Sequence, residues 1–362
     1  MPIFNSENIS IAAMSCAVPD NLVTVDSFSN VFGQEVTDRF TDGTGIKQMY
    51  KALPEQTAGD IAYAAAENLL EHYPVDKDKI GALILVTQSP DYRRPATACV
   101  LQKRLGLSKD CAVMDIGLGC SGFVYGLQVA GSLMASSDME YAMLLIGETA
   151  SKLVNPQDKS IVMMYGDAGA AVLLKRESGN NIKTLLRSDG SKYEAIVLPA
   201  GGFRDMNPSH ETFMCSDGNE RSLYDIFMDG TAVFSFSINE IPVAIKDYLE
   251  VVGKNIEEFD VIALHQANKF ILKQITKRIK AKTEKVPLSL DRYGNTGGIS
   301  IPLTLCDKYG STDEEVIKVL ASGFGIGLSW GVTSFEIDTT NIYPVILTSD
   351  YYAEGKFMPG EY

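Results

Sequence analysis

Four short stretches of the chain are almost uninterrupted apolar runs: Ala82–Thr87, Cys111–Ile116, Tyr141–Gly147 and Ala170–Lys175. Runs this short and continuous predict strands of a sheet covered on both faces. Between them, Thr57–Tyr73 places Ile61, Ala65 and Leu69 at helical spacing, with Thr57 positioned to cap the helix. Phe123–Met134 sets Phe123, Leu127, Ala130 and Met134 on one helical face, and its small residues Gly126, Ala130 and Gly131 predict a deeply buried helix. Strands alternating with helices define an α/β protein with a layered core.

The second half of the chain repeats this pattern. The strand ALILVTQ ends at Thr87-Gln88 and the strand VIALHQ ends at His265-Gln266. Downstream, Gly119-Cys120-Ser121-Gly122 and Gly294-Asn295-Thr296-Gly297 each open an apolar helix. Their spacings are similar, 33 residues from Thr87 to Cys120 and 30 from His265 to Asn295. Matching order and spacing predict a duplicated unit rather than two unrelated domains. The expected halves are residues 1–178 and 179–338, with a seam in the polar stretch Lys175–Lys183. Residues 200–222 read as a polar surface excursion. Residues 339–362 form an aromatic, acidic tail without periodicity, which docks on the body or on a partner.

Charge narrows the function. The 362 residues carry 32 basic and 46 acidic side chains, a net charge of −14. That disfavours a general nucleic-acid binder. Six cysteines are scattered with no Cys-X-X-Cys pair, so neither a disulfide framework nor a zinc site is expected. The first twenty residues lack a basic segment followed by a long apolar one, and no apolar run approaches 18 residues. The expectation is a soluble, cytoplasmic protein with no membrane span.

Duplication would bring Cys120, His265 and Asn295 to equivalent strand ends and helix starts around one pocket. Cys120 lies at a glycine-flanked strand-to-helix turn. The positive end of a helix favours thiolate there and would lower the ordinary thiol pKa of about 8.5 by a unit or more. Most cysteines are small buried hydrophobes, and that reading is kept for Cys16, Cys99, Cys111, Cys215 and Cys306. Of three histidines, His72 and His210 read as solvated, whereas His265 follows an apolar strand. Asn295 is either a turn residue before glycine or, by its equivalence to Cys120, a pocket amide.

The strings GCSGFVYGL, LHQAN, RYGNTGGISIP, YGDAGAAVLL and GFGIGLSWG, in this order over roughly residues 9–337, resemble β-ketoacyl-acyl-carrier-protein synthase III of the thiolase superfamily. The resemblance implies a thiolase-like duplicated layered αβαβα fold and a Cys-His-Asn site. Cys120 would take an acyl group from a thioester. Backbone N–H groups of Cys120 and Ile326 would form the oxyanion hole, with Phe324 and Gly325 in the same pocket wall. Malonyl thioester would then lose carbon dioxide, with His265 and Asn295 donating to the enolate oxygen, and the carbanion would attack the acyl-cysteine. No metal or redox cofactor is implied, and coenzyme A or acyl-carrier-protein thioesters are substrates. The same triad is compatible with acyl transfer to a hydroxyl or amine without decarboxylation, and the fold with a non-catalytic partner subunit.

Further expectations rest on the same resemblance. Lys269–Lys285 holds seven basic residues and one acid, and Lys269, Lys273, Lys277 and Lys280 trace one helical face beside His265. Such a face is either simply solvated or a docking site for an acidic acyl carrier protein. Where the family commonly has a Trp and an Arg that sandwich the coenzyme A adenine, this chain has Arg39 and Lys159. The resemblance implies a homodimer, and Arg94 stands where the family often sends a Phe into the partner subunit's acyl pocket; there it either suits a polar or anionic acyl group or turns outward.

Overall fold

The apolar runs form strands whose two faces serve different layers. A computed structural model of the chain describes residues 2–312 and 315–356. The first half is built from β1 (Phe4–Pro19), α1 (Ala58–His72), β2 (Ile80–Val86), α2 (Thr97–Leu105), β3 (Ala112–Ile116), α3 (Gly122–Ala135) and β4 (Tyr141–Glu148). A long strand, β5 (Ala168–Ser188), leads into α4 (Gly230–Val252), β6 (Val261–Leu264), α5 (Lys269–Arg278), α6 (Ser300–Tyr309), β7 (Val316–Gly325) and β8 (Ser329–Asp338).

Pairing exposes the duplication. In the first half the order is β2, β4, β5, β1, with β2 parallel to β4 and the two later pairs antiparallel. In the second half it is β6, β7, β8, β5, again parallel and then twice antiparallel. The start of β5 completes the first set of strands and its end opens the second, so that both sets join in one continuous sheet. The expected boundary between 178 and 179 therefore falls inside one hydrogen-bonded strand rather than in a linker, at Gly179 with φ +89°.

Strand alternation sorts the side chains into three layers. Ala82, Ile84 and Val86 of β2, with Val261 and Ala263 of β6, face a central layer made by α3 and α6. Leu83 and Leu85 face α1 and α2, while Ile262 and Leu264 face α4 and α5. The result is the αβαβα sandwich. Thr57 caps α1 as expected, accepting the Asp60 N–H at 3.2 Å while Asp60 accepts the Thr57 N–H at 2.9 Å. In α3, a β-carbon on Gly126 would lie 2.7 Å from Leu144 Cδ1, so only glycine lets this helix sit against β4.

The excursion at 200–222 is largely exposed but anchored. Arg221 is buried and donates to Asp158 Oδ2 at 2.6 Å and to Asp217 Oδ2 at 2.7 Å. The tail docks on the body: β9 (Ile346–Thr348) runs parallel to the end of β1, and Gln56 Nε2 donates to the carbonyls of Thr348 and Asp350. The tail's last residues, 357–362, lie outside the described ones. No helix among the described residues is long and apolar enough to cross a membrane.

Candidate active site

Cys120 occupies the turn between β3 and α3, closely flanked by glycines. A β-carbon on Gly119 would lie 2.4 Å from Gln88 Oε1, and one on Gly122 would lie 2.6 Å from Val86 Cγ1. From the opposite half, the end of β7 closes on the cysteine. A β-carbon on Gly325 would come 2.7 Å from Cys120 Cβ and 3.0 Å from its Sγ. The backbone N–H groups of Ile326 and of Cys120 itself act on the sulfur, favouring its ionised form; they are the pair expected to hold an oxyanion.

His265 follows β6 by one residue, as Thr87 follows β2. Its ring is buried, with Nδ1 2.8 Å from Ser300 Oγ and the ring edge-on to Phe324 at 5.3 Å between centroids. Burial drives its pKa down to about 4, opposed by a hydrogen bond to the Gly297 backbone. Asn295 is also buried; its Oδ1 accepts the Gly297 N–H at 3.0 Å, which leaves the side-chain amide protons for a ligand. Gly297 joins the parts: its N–H donates to Asn295, its backbone acts on the His265 ring, and it lines the cavity containing Cys120.

That cavity has a volume of about 400 Å³. Ala150, Leu153, Ile196, Val197, Leu198 and Ile226 make most of its wall apolar, and Gln88, Glu148 and Tyr165 supply polar groups near the cysteine. Glu148 ends β4, accepting the Gln88 N–H at 2.8 Å and the Ser89 hydroxyl at 3.0 Å. Burial pushes its carboxyl up to about 8, the two donors pulling the other way. Burial, and then the charge of Glu148, push the Cys120 thiol up to about 12 against its N–H partners. The direction is opposite to the lowering expected from the helix end. Tyr165 is raised as well, by burial and by its two acidic neighbours.

The other predicted residues divide. Phe324 and Gly325 pack against His265 and Cys120 respectively. Arg94 is exposed and does not line this chain's cavity; its neighbour Arg93 borders an adjoining one. Arg39 is exposed and ion-paired to Glu35 at 2.6 Å, and Lys159 is also exposed. Lys269, Lys273 and Lys277 are exposed on α5 and, among the described residues, have no ion-pair partner. The helix ends at Arg278, however, and Lys280 lies beyond it with φ +57°, off the expected face. Cys16, Cys111 and Cys306 are buried as expected, whereas Cys99 is exposed and Cys215 half-buried, so these two are not core residues.

Sequence reasoning missed Glu148, Tyr165 and Ser300. Glu148 left one trace, a lone acid closing the apolar strand YAMLLIGE. Among the described residues, no group of three His, Cys, Asp or Glu side chains is placed to hold a metal ion.

Comparison with known proteins agrees with this geometry. Residues 114–190 match the 3-oxoacyl-[acyl-carrier-protein (ACP)] synthase III family model, and residues 249–337 match its C-terminal counterpart. A β-ketoacyl-[acyl-carrier-protein] synthase III from Caldanaerobacter subterraneus subsp. tengcongensis is 36% identical over 296 residues, covering 80% of this chain and 86% of that protein. One from Clostridium perfringens is 33% identical over 338 residues, covering 91% and 100%. The crystal structure of a 3-oxoacyl-(acyl-carrier protein) synthase from Burkholderia xenovorans LB400 superposes with a TM-score of 0.89 at 31% identity, over 96% of this chain and 99% of that one.

Proposed function

Because the chain belongs to the 3-oxoacyl-[acyl-carrier-protein] synthase III family and is a condensing acyltransferase of that type, we propose that Cys120 accepts its acyl group and that His265 and Asn295 serve the decarboxylative step. The observation that carries this reading is the contact of the two half-sites: the end of β7 closes on Cys120 while Gly297, bonded to Asn295 and acting on the His265 ring, lines the same cavity.

In the first step the Cys120 sulfur attacks the donor thioester, the N–H groups of Cys120 and Ile326 hold the carbonyl oxygen as it gains charge, and the donor leaves as a thiol that takes up the proton lost from Cys120. Malonyl-acyl carrier protein then binds. Loss of carbon dioxide leaves an enolate whose oxygen accepts from His265 Nε2–H and the Asn295 amide. Its carbon attacks the acyl-cysteine and the β-ketoacyl thioester is released, freeing the thiolate. The neutral state of His265 suits a hydrogen-bond donor rather than a proton store.

The acyl group is neutral and largely apolar. The cavity wall supports this, since it presents aliphatic side chains, one acid and no cation. Unpaired Lys269, Lys273 and Lys277 beside His265 support carrier-protein docking, and β3 at the sheet edge, left partly exposed, supports pairing with a second copy.

Intact-protein mass spectrometry after offering acyl-CoAs and acyl carrier thioesters tests the donor: an acyl adduct on Cys120 is expected, absent in Cys120→Ala. Release of carbon dioxide from malonyl thioester separates condensation from acyl transfer to a hydroxyl or amine, and its absence with every acylating donor rejects the reading. Lys273→Glu with Lys277→Glu should raise KM for the malonyl carrier protein at low salt with kcat nearly unchanged; an unaltered KM there removes the docking assignment.

A further inference from the structure

His265 is neutral and fully enclosed, so its ring carries one proton and can donate from only one nitrogen. A donor role toward the enolate requires that proton on Nε2. Sequence and burial do not decide the tautomer; the groups facing the two ring nitrogens do, the Gly297 backbone and the partner of Nδ1.

That partner is Ser300, the first residue of α6, itself buried with 1% of its surface exposed. Its Oγ lies 2.8 Å from His265 Nδ1 and accepts the Gln266 N–H at 3.3 Å. A hydroxyl has one proton to give. In one arrangement Ser300 gives it to Nδ1 and takes the Gln266 N–H, which satisfies every group and leaves the histidine proton on Nε2. In the other, Nδ1–H donates to Oγ, and the serine proton needs a further acceptor. Among the described residues Ser300 Oγ has no other partner. A buried hydroxyl proton left without an acceptor disfavours that arrangement by roughly ten- to a hundredfold.

We propose that Ser300 is a positioning residue for the condensation, fixing His265 as the Nε2–H tautomer by donating its hydroxyl to Nδ1 while the Gln266 N–H occupies the serine oxygen. The inference rests on the proposed role of His265 and adds the group that makes the role possible. It also accounts for the placement of the helix: α6 starts beside the histidine, which brings a serine from the Asn295 segment to the Nδ1 edge of the ring.

The test uses the full-length protein labelled with ¹⁵N-histidine. With three histidines in the chain, the His265 signals are assigned by their absence in His265→Asn. The wild type is expected to show Nδ1 without a proton and Nε2 with one; a protonated Nδ1 overturns the proposal with no variant needed. Ser300→Ala should give a mixed tautomer signal and lower kcat for malonyl decarboxylation roughly ten- to a hundredfold. KM should stay within about twofold and Cys120 alkylation should keep its rate. Ser300→Thr, which keeps the hydroxyl, should restore most of kcat. Ser300→Ala with wild-type kcat and an unchanged tautomer rejects the role of Ser300. His265→Asn with undiminished decarboxylation instead rejects the underlying assignment of His265, so the two failures are distinguishable.

Discussion

Replacing Glu148 by Gln should make Cys120 more reactive, and only above a particular pH. The substitution keeps shape and most hydrogen bonds, because a glutamine carbonyl still accepts the Gln88 N–H and its amide meets the Ser89 hydroxyl. What it removes is a charge that forms as pH rises through about 8 and that opposes the thiolate in the same cavity. A like charge at such range is worth about one to two pKa units. The thiolate fraction then rises about ten- to a hundredfold. Its intrinsic nucleophilicity falls with its pKa by a Brønsted slope of about 0.45, so the net gain in alkylation rate is roughly 3- to 13-fold. Below pH 8 the carboxyl is neutral and the two proteins should react alike. The wild-type logarithmic rate of iodoacetamide labelling, followed by mass spectrometry from pH 6.5 to 10, should flatten near pH 8 and then resume its climb, while Glu148→Gln should rise in one straight line. A variant-to-wild-type ratio that does not change with pH would refute the electrostatic argument. A variant slower at every pH would show that Glu148 removes the thiol proton instead of opposing its loss.

Gly325→Ala should cut acylation of Cys120 by about a hundredfold, because its new methyl would sit 2.7 Å from Cys120 Cβ and push the nucleophile aside; adduct formation by mass spectrometry reads this directly, and a normal rate means that the β7 end yields. His265, with its pKa lowered from 6.5 to about 4, binds fewer protons folded than unfolded. It therefore contributes stability that is full above about pH 6.5 and is lost as pH falls toward 4, worth about 3 kcal/mol. Denaturant titrations should show His265→Asn with a flatter acid limb than wild type over that window. Arg221→Ala leaves Asp158 buried without its partner and should cost about 3–5 kcal/mol. Residues 200–222 should then be cut rapidly in limited proteolysis, and an unchanged cleavage rate would mean that Arg221 does not hold the excursion.

Much of this protein is legible in one dimension, because its signals are local. Continuous apolar runs mark covered strands, Thr57 and Asp60 write a capping box, and the glycines around Cys120 mark a turn that a substrate can approach. The duplication is legible too, since two strand ends and two glycine-bounded helix starts recur at nearly equal spacing. Tertiary structure decided whatever depends on distant neighbours. Leu83 and Ile84 are equally apolar in the sequence, yet they face different helix layers, and only pairing assigns the faces. The seam expected near residue 178 lies within β5 because strand pairing across both sets of strands outweighs a polar composition. Lys280 sat in a suggestive place in the sequence, but the path of the backbone leaves it past a helix end. The thiol shows the difference most clearly. A helix start beside a cysteine predicts a lowered pKa, whereas burial and a carboxylate brought in from the end of β4 raise it. Titration in a cavity is set by solvent exclusion and by charges that only the fold brings together, and so the chain order names the nucleophile while the packed structure sets the state in which it waits.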